Sequence, residues 1–483
     1  MMTVQKTKRI LVVELNAAEK HFLDKYVAEG KLPVFKKLLQ AGKVVKTRVG
    51  ARIEQLTPWT IWPSIYTGIK PDKHGIIGFG QAFDALRGNY IWDVLNAKGI
   101  TTGVFGNRIS ALVRQNPLSL FYVPGVFSAA QSCFPESLSF IQKFFVFIKK
   151  NNIHRSVGLA IQLFFQLVMG AIKGVPFSII KAILLQMRLE LVKGMAYQKD
   201  RAILRAKCQM DIFKTLYNQY KPQFSTIHLE NIASAQHLYW RAAEPDGFSD
   251  ELGDLDSFYF ENIEMRKSHE ILFKDMILDN FRLVDGFLGQ LLPLLDEQTV
   301  LVIITGLGQK KRDPVHQIHK PEIRFYNLKH LLNRIDVLNC EILTQANPYI
   351  TLNFRDTADA SLGAFKLSNL NVLGEYPLFK LEQREHQLFL EENLSPTMWA
   401  LGADVWVENK SNEMIFPLFN YVKISQLRDQ YTADYSSEGW VLFYGNTTAF
   451  SGNMDEITSP FDVMEIYPLL LSYFNDKIQG LDQ

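Results

Sequence analysis

Val300-Leu301-Val302-Ile303-Ile304-Thr305 is an unbroken aliphatic run that closes on a single hydroxyl. A run without apolar–polar alternation is buried on both faces, as in the central strand of a parallel sheet. Working outward, Ile10 to Val13 has the same character and ends in the polar Glu14-Leu15-Asn16. Val44 to Val49, Thr101 to Phe105 and Phe224 to Leu229 read as further strands. Helical patterns fall between them. One follows Asn16 to about Glu29 and is closed by Gly30, and a second runs from Leu32-Pro33 to Leu39 and stops at Gly42. Thr57-Pro58 opens another, with Thr at the cap, Pro in the first turn and Gly68 at the end. Tyr90 to Lys98, Tyr197 to Tyr217, Glu264 to Leu294 and Pro321 to Leu332 complete the helical set. Strand–helix alternation of this kind predicts an α/β fold: a doubly wound, mostly parallel sheet flanked by helices.

The 483 residues are 47 % hydrophobic and 21 % charged, the balance of a globular rather than a disordered chain. Lys and Arg number 52 against 50 acidic residues, leaving a net charge of +2. Phosphate-backbone binding needs concentrated positive charge, so nucleic acid is not an expected partner. Cys133, Cys208 and Cys340 are scattered and show neither a disulfide framework nor zinc-ligand spacing. The start of the chain lacks a signal-peptide apolar region, since Glu14 interrupts the short run after Arg9. A reducing, cytoplasmic location is the expectation.

Between about Pro135 and Gly194 the pattern changes to Phe, Ile and Leu with few breaks. Residues 131–219 are therefore expected to form a helical insertion, or cap, on a core built from 1–130 and 220–483. The most apolar window, Val157 to Ile172, contains Gln162 and Gln166 and falls short of the ~20 residues a membrane span needs. The insertion reads either as a packed cap or as a membrane-surface or partner contact through 135–194. Lys149, Lys150, Arg155, Lys173, Lys181 and Arg188 surround its apolar face.

Four stretches, in order, carry a family resemblance. They are the run from Glu29-Gly30-Lys31-Leu32-Pro33 to Gly42, the segment Trp62-Pro63-Ser64-Ile65-Tyr66-Thr67-Gly68-Ile69-Lys70-Pro71-Asp72-Lys73-His74-Gly75-Ile76, the strand Val300 to Thr305, and Val463 to Leu471. Together they resemble the alkaline phosphatase superfamily, close to its type I phosphodiesterase/nucleotide pyrophosphatase branch. That resemblance implies two metal ions at the carboxyl ends of the strands, held by Asp and His, with a Thr or Ser nucleophile at a helix start. By the same resemblance, Asn16 stands where the first Asp ligand belongs. Ala233 and His237 stand for an Asp–His pair, Gly306 and Leu307 for a second Asp–His pair, and Tyr435 for the final His. Thr57 or Thr60 matches the nucleophile. Two divalent cations need carboxylates to neutralise them, so no metal site of the standard kind is expected.

The remaining polar residues suggest what such a site binds. Thr57, Thr60, His237 and Glu14 are the catalytic candidates. Asn16, Trp59, Asn231, Arg241, Gln309 and Lys310 are the ligand-binding candidates. Lys310-Lys311-Arg312, with His316, His319 and Lys320, puts positive charge where open α/β sheets bind ligands, or simply forms a solvated loop. Thr57 either caps its helix or contacts an anion. His74-Gly75 reads as loop-shaping, and Trp62 and Trp240 as core residues. A carboxylate at the end of a buried strand is costly alone, so Glu14 is expected to pair with Arg241 or a lysine. The expected ligand is a phosphorylated or nucleotide-sugar-type small molecule, bound or processed without a cofactor. The rivals are an active phosphoester hydrolase using zinc or manganese in a non-standard site, and a non-catalytic docking protein.

Overall fold

The structure is a computed structural model. It describes residues 7–51, 56–71, 73–76, 86, 88–107, 116–125, 133–139, 177–193, 200–248, 262–312, 322–325, 327–346, 349–372, 376–393, 405–409, 413–425, 432–450 and 459–474. The window Val157 to Ile172, the cations Lys149, Lys150, Arg155 and Lys173, and His316, His319 and Lys320 lie outside the described residues.

An eight-stranded sheet organises the chain. Its strands are β1 (Arg9–Leu15), β2 (Lys43–Arg48), β3 (Thr102–Asn107), β4 (Ser119–Pro124), β5 (Phe224–Leu229), β6 (Thr299–Ile304), β7 (Glu438–Gly445) and β8 (Phe461–Asp462). The spatial order is β8-β2-β7-β6-β1-β5-β3-β4. β6, β1, β5, β3 and β4 run parallel, and β7 runs antiparallel between β6 and β2. The mostly parallel α/β architecture stands. Every residue of β5 and β6 is buried, β6 through its aliphatic run and β5 although it carries Ser225, Thr226 and His228. Each buried Val, Leu or Ile there contributes roughly 1.5–3 kcal/mol of transfer free energy.

Helices cover both faces. On one side a core is shared by α1 (Lys20–Ala28), α2 (Pro33–Ala41), α5 (Phe177–Lys193), α6 (Asp200–Tyr220), α7 (Asn231–Ala243) and α9 (Met276–Leu291). On the other, α3 (Pro58–Thr67) and α4 (Ile91–Ala97) pack with the closing helix Ile466–Ser472. Gly68 ends α3 in the left-handed region at φ 69°, the conformation for which its lack of Cβ is suited.

Two helix expectations need correction. Glu264 to Leu294 is not one helix: α8 (Ile263–Phe273) ends before α9 begins at Met276. The two serve different neighbours, α8 packing on α7 while α9 also reaches α2 and α6. Pro321 to Leu332 splits into the strand Glu322–Phe325 and the helix Leu328–Arg334. There the strand pairs with Val422–Ser425, a partner almost a hundred residues away. Residues 325–422 carry a third hydrophobic cluster, built on two small antiparallel sheets and the helix Thr357–Ser368.

Candidate functional site

Parallel register brings the chemistry together. β1 lies between β5 and β6, with Glu14 opposite His228 on one side and Ile304 on the other. The carboxyl ends of the three strands therefore deliver Glu14, Asn16, His228, Glu230 and Thr305 to one region, where α3 arrives from above.

Glu14 is 1 % exposed and fully engaged. Its Oε1 accepts hydrogen bonds from the Tyr66 hydroxyl at 2.6 Å and from the Thr226 hydroxyl. Its Oε2 lies 2.6 Å from His228 Nδ1. The other ring nitrogen, Nε2, lies 2.5 Å from Glu230 Oε1. Glu230 Oε2 accepts from Asn16 Nδ2 at 3.2 Å, and Asn16 Oδ1 accepts from the Trp62 indole at 3.0 Å. Trp62 also stands edge-on to the His228 ring at 4.9 Å. Both imidazole nitrogens face carboxylates, so a doubly protonated ring satisfies both. Burial, reinforced by the charge on Glu14, pushes the Tyr66 phenol well above its ordinary range and keeps it a donor. This arrangement corrects the expected pairing of Glu14 with Arg241 or a lysine. Arg241 instead pairs with Glu270 at 3.1 Å, and the residue beside Glu14 is a histidine.

The threonines sit at the start of α3. Thr57 occupies the cap position in extended conformation, but its side chain makes no capping hydrogen bond. Thr60 Oγ1 donates to the Thr57 carbonyl at 3.0 Å and lies 3.3 Å from Thr57 Oγ1. His74 is fully buried. Its Nδ1 accepts from the Ile76 amide at 3.0 Å and its Nε2 donates to the Thr60 carbonyl at 2.9 Å, so it ties the following loop to α3. Trp59 packs half-buried beside the second core cluster. Trp62 and Trp240 are buried in the core.

A second polar knot lies along α7. Gln236 Nε2 donates to the Ala17 carbonyl and to Gln309 Oε1, both at 3.0 Å. Gln309 Nε2 donates to the Ala233 carbonyl at 3.2 Å, and its amide donates to Glu19 Oε2 at 3.0 Å. Burial raises the Glu19 carboxyl above its ordinary value, against the lowering effect of the Gln309 amide. The residue after Gln236, His237, donates from Nδ1 to the Ala433 carbonyl at 2.7 Å and its ring stands edge-on to Tyr435 at 4.7 Å. Asn231 turns away to Asn280, 3.0 Å distant, and Lys310 is exposed on the short strand Gly308–Lys311. Arg241, Asn231 and Lys310 thus do not join the Glu14–Asn16 cluster. Glu230, named from sequence at the mouth of the pocket, does join it, and His228 and Tyr66, not singled out from sequence, supply much of the rest.

The positions at which the family resemblance implies metal ligands carry other groups here. Asn16 has its carbonyl oxygen on Trp62 and its amide on Glu230. Gly306 has φ +69°, and a Cβ there would meet Ile65 at 3.1 Å and Trp62 at 3.3 Å. Ala233 and Leu307 offer no donor side chain. Among the described residues, no group of three or more His, Cys, Asp or Glu is placed to hold an ion.

The sequence profile of the type I phosphodiesterase/nucleotide pyrophosphatase family matches residues 10–310. The chain belongs to that family. No curated protein matches it. Human ectonucleotide pyrophosphatase/phosphodiesterase 5 aligns over 97 % of this chain and 95 % of its own, at 11 % identity and TM-score 0.39. Phosphonoacetate hydrolase from Sinorhizobium meliloti 1021, in complex with phosphonoacetate, aligns over 97 % and 96 %, at 14 % identity and TM-score 0.42. An inactive variant of the murine phosphodiesterase 5, in complex with AMP, aligns over 97 % and 95 %, at 11 % identity and TM-score 0.40.

Proposed function

We propose that this family member binds a phosphoester, of the nucleotide or nucleotide-sugar type, at the carboxyl ends of β1, β5 and β6 without paired divalent cations. The observation that carries the reading is the commitment of Asn16 to Trp62 and Glu230 at the position of the first family ligand. Each lost carboxylate removes charge that two close cations require.

The residues divide the ligand between them. Carboxylate oxygens of Glu14 and Glu230 flank His228 on both sides, which disfavours a phosphate beside them. Hydroxyl groups suit that end, because Glu230 accepts and the Asn16 amide donates. The phosphate belongs at the start of α3, where the helix dipole favours an anion. Thr57 serves there better than Thr60, because the Thr60 hydroxyl is already given to the Thr57 carbonyl. In this reading His237, held by the Ala433 carbonyl and the Tyr435 ring, takes the other flank.

Calorimetry with AMP and a uridine diphosphate sugar tests this, with chelator present throughout. Binding is expected to survive the chelator and to weaken about tenfold in Thr57→Ala, the loss of one hydrogen bond to a charged group. Elemental analysis of protein purified without chelator is expected to find no stoichiometric zinc or manganese. An equivalent of either metal, lost in His237→Ala, overturns the reading, as does binding that the chelator abolishes. Chromogenic phosphodiester hydrolysis on adding manganese or zinc, abolished by Thr57→Ala, would establish the hydrolase in its place.

A further inference from the structure

Helix α5 buries one face and shows the other to solvent. Ile179, Ile180 and Ile183 are 2 %, 8 % and 5 % exposed and join the core beneath the sheet. Leu184 and Leu185 are 46 % and 53 % exposed, and Lys181 and Arg188 are exposed beside them. Lys181, Leu184, Leu185 and Arg188 stand at i, i+3, i+4 and i+7, which is one stripe of an α-helix. The buried isoleucines and the packing of α5 on α6 fix that stripe outward.

We propose that this stripe docks the protein on an anionic lipid surface, with Leu184 and Leu185 entering the headgroup boundary and Lys181 and Arg188 flanking them. The composition selects the occupant. Two exposed leucines between two cations, with no acidic residue on the stripe, complement a negatively charged interface rather than a neutral apolar groove. The helix lies on the surface and does not cross it. It has 17 residues, and no described helix is long and apolar enough to span a bilayer. This is independent of the phosphoester site.

Vesicle co-sedimentation of the full chain tests it, using phosphatidylcholine alone and phosphatidylcholine mixed with phosphatidylglycerol. Retention is expected only on the mixed vesicles and is expected to fall with added salt. Lys181→Ala and Arg188→Ala are each expected to weaken it about fivefold, and the double variant Leu184→Ser/Leu185→Ser to remove it. All four positions are exposed, so unchanged melting curves will separate lost docking from lost fold. Three results would overturn the proposal: no retention, equal retention on neutral vesicles, or retention untouched by these variants. A concentration-dependent dimer that the leucine variants abolish, without vesicle retention, would also overturn it by making the stripe a self-association face.

Discussion

At Asn16 both ends of one amide are in use, the carbonyl on the Trp62 indole and the NH2 on Glu230. Restoring the family's carboxylate with Asn16→Asp would keep the acceptor but lose the donor, and would set a second negative charge against Glu230. The expected cost is roughly 2–4 kcal/mol at neutral pH, from one broken charge-assisted bond and like-charge repulsion. The loss should shrink as pH falls and one carboxyl takes a proton. Urea unfolding at neutral and mildly acidic pH measures both. Glu19 is expected to behave in the opposite sense to a salt-bridged acid. Its folded-state carboxyl is raised above 4.5 by burial, so its ionisation opposes folding. Its contribution is most favourable below pH 4.5 and is lost as pH rises through the raised folded value. Glu19→Gln should therefore gain stability over wild type above pH 4.5, with the gain vanishing below it. That Glu14 needed a partner was legible in the sequence, because a carboxylate ending an apolar strand has no other remedy. That His228 was the partner was not, because a lone histidine in Phe224–Leu229 looks like any core histidine until register sets it opposite Glu14.

Elements were legible where a local signal sufficed. Proline placed the start of α2 and both proline and glycine bounded α3, while continuous apolar runs gave β1 and β6. The junction of α8 and α9 and the strand Glu322–Phe325 were not legible, since each depends on a distant neighbour rather than on its own periodicity. The same dependence stabilises α2. Its start lacks a side-chain cap of its own, because Leu32 stands at the cap position. Asp285, from the middle of α9, accepts instead from the Phe35 amide at 2.7 Å and the Val34 amide at 3.3 Å. Asp285→Ala leaves one buried and one half-buried donor unmet and should cost about 2–3 kcal/mol. Asp285→Asn keeps an acceptor and also removes a carboxyl whose pKa burial raises, so it should cost clearly less. Chemical denaturation of the two variants gives the ordering.

At the scale of the whole molecule, the third cluster leaves and re-enters the sheet through one paired stem. Gly308–Lys311 goes out, Ala433–Ser436 comes back, and the two strands pair antiparallel. The returning strand carries Tyr435, which meets the His237 ring, and Ala433, whose carbonyl holds its Nδ1. The cluster's own core, which includes Leu390, Ile350 and Leu352, is separate from the two clusters that flank the large sheet. A cavity made there should therefore act locally. Leu390→Ala is expected to cost about 2–4 kcal/mol, and hydrogen exchange should show where. Tyr349–Phe354 and Gln387–Glu392 should lose protection, while β1, β5 and β6 keep theirs. Equal loss in both places would mean that the stem transmits the strain and the clusters unfold as one unit. The stem's pairing spans only four residues a side, against six register pairs joining β1 to each of its neighbours. On that comparison the outer cluster opens first and the Glu14–Asn16 cluster outlasts it.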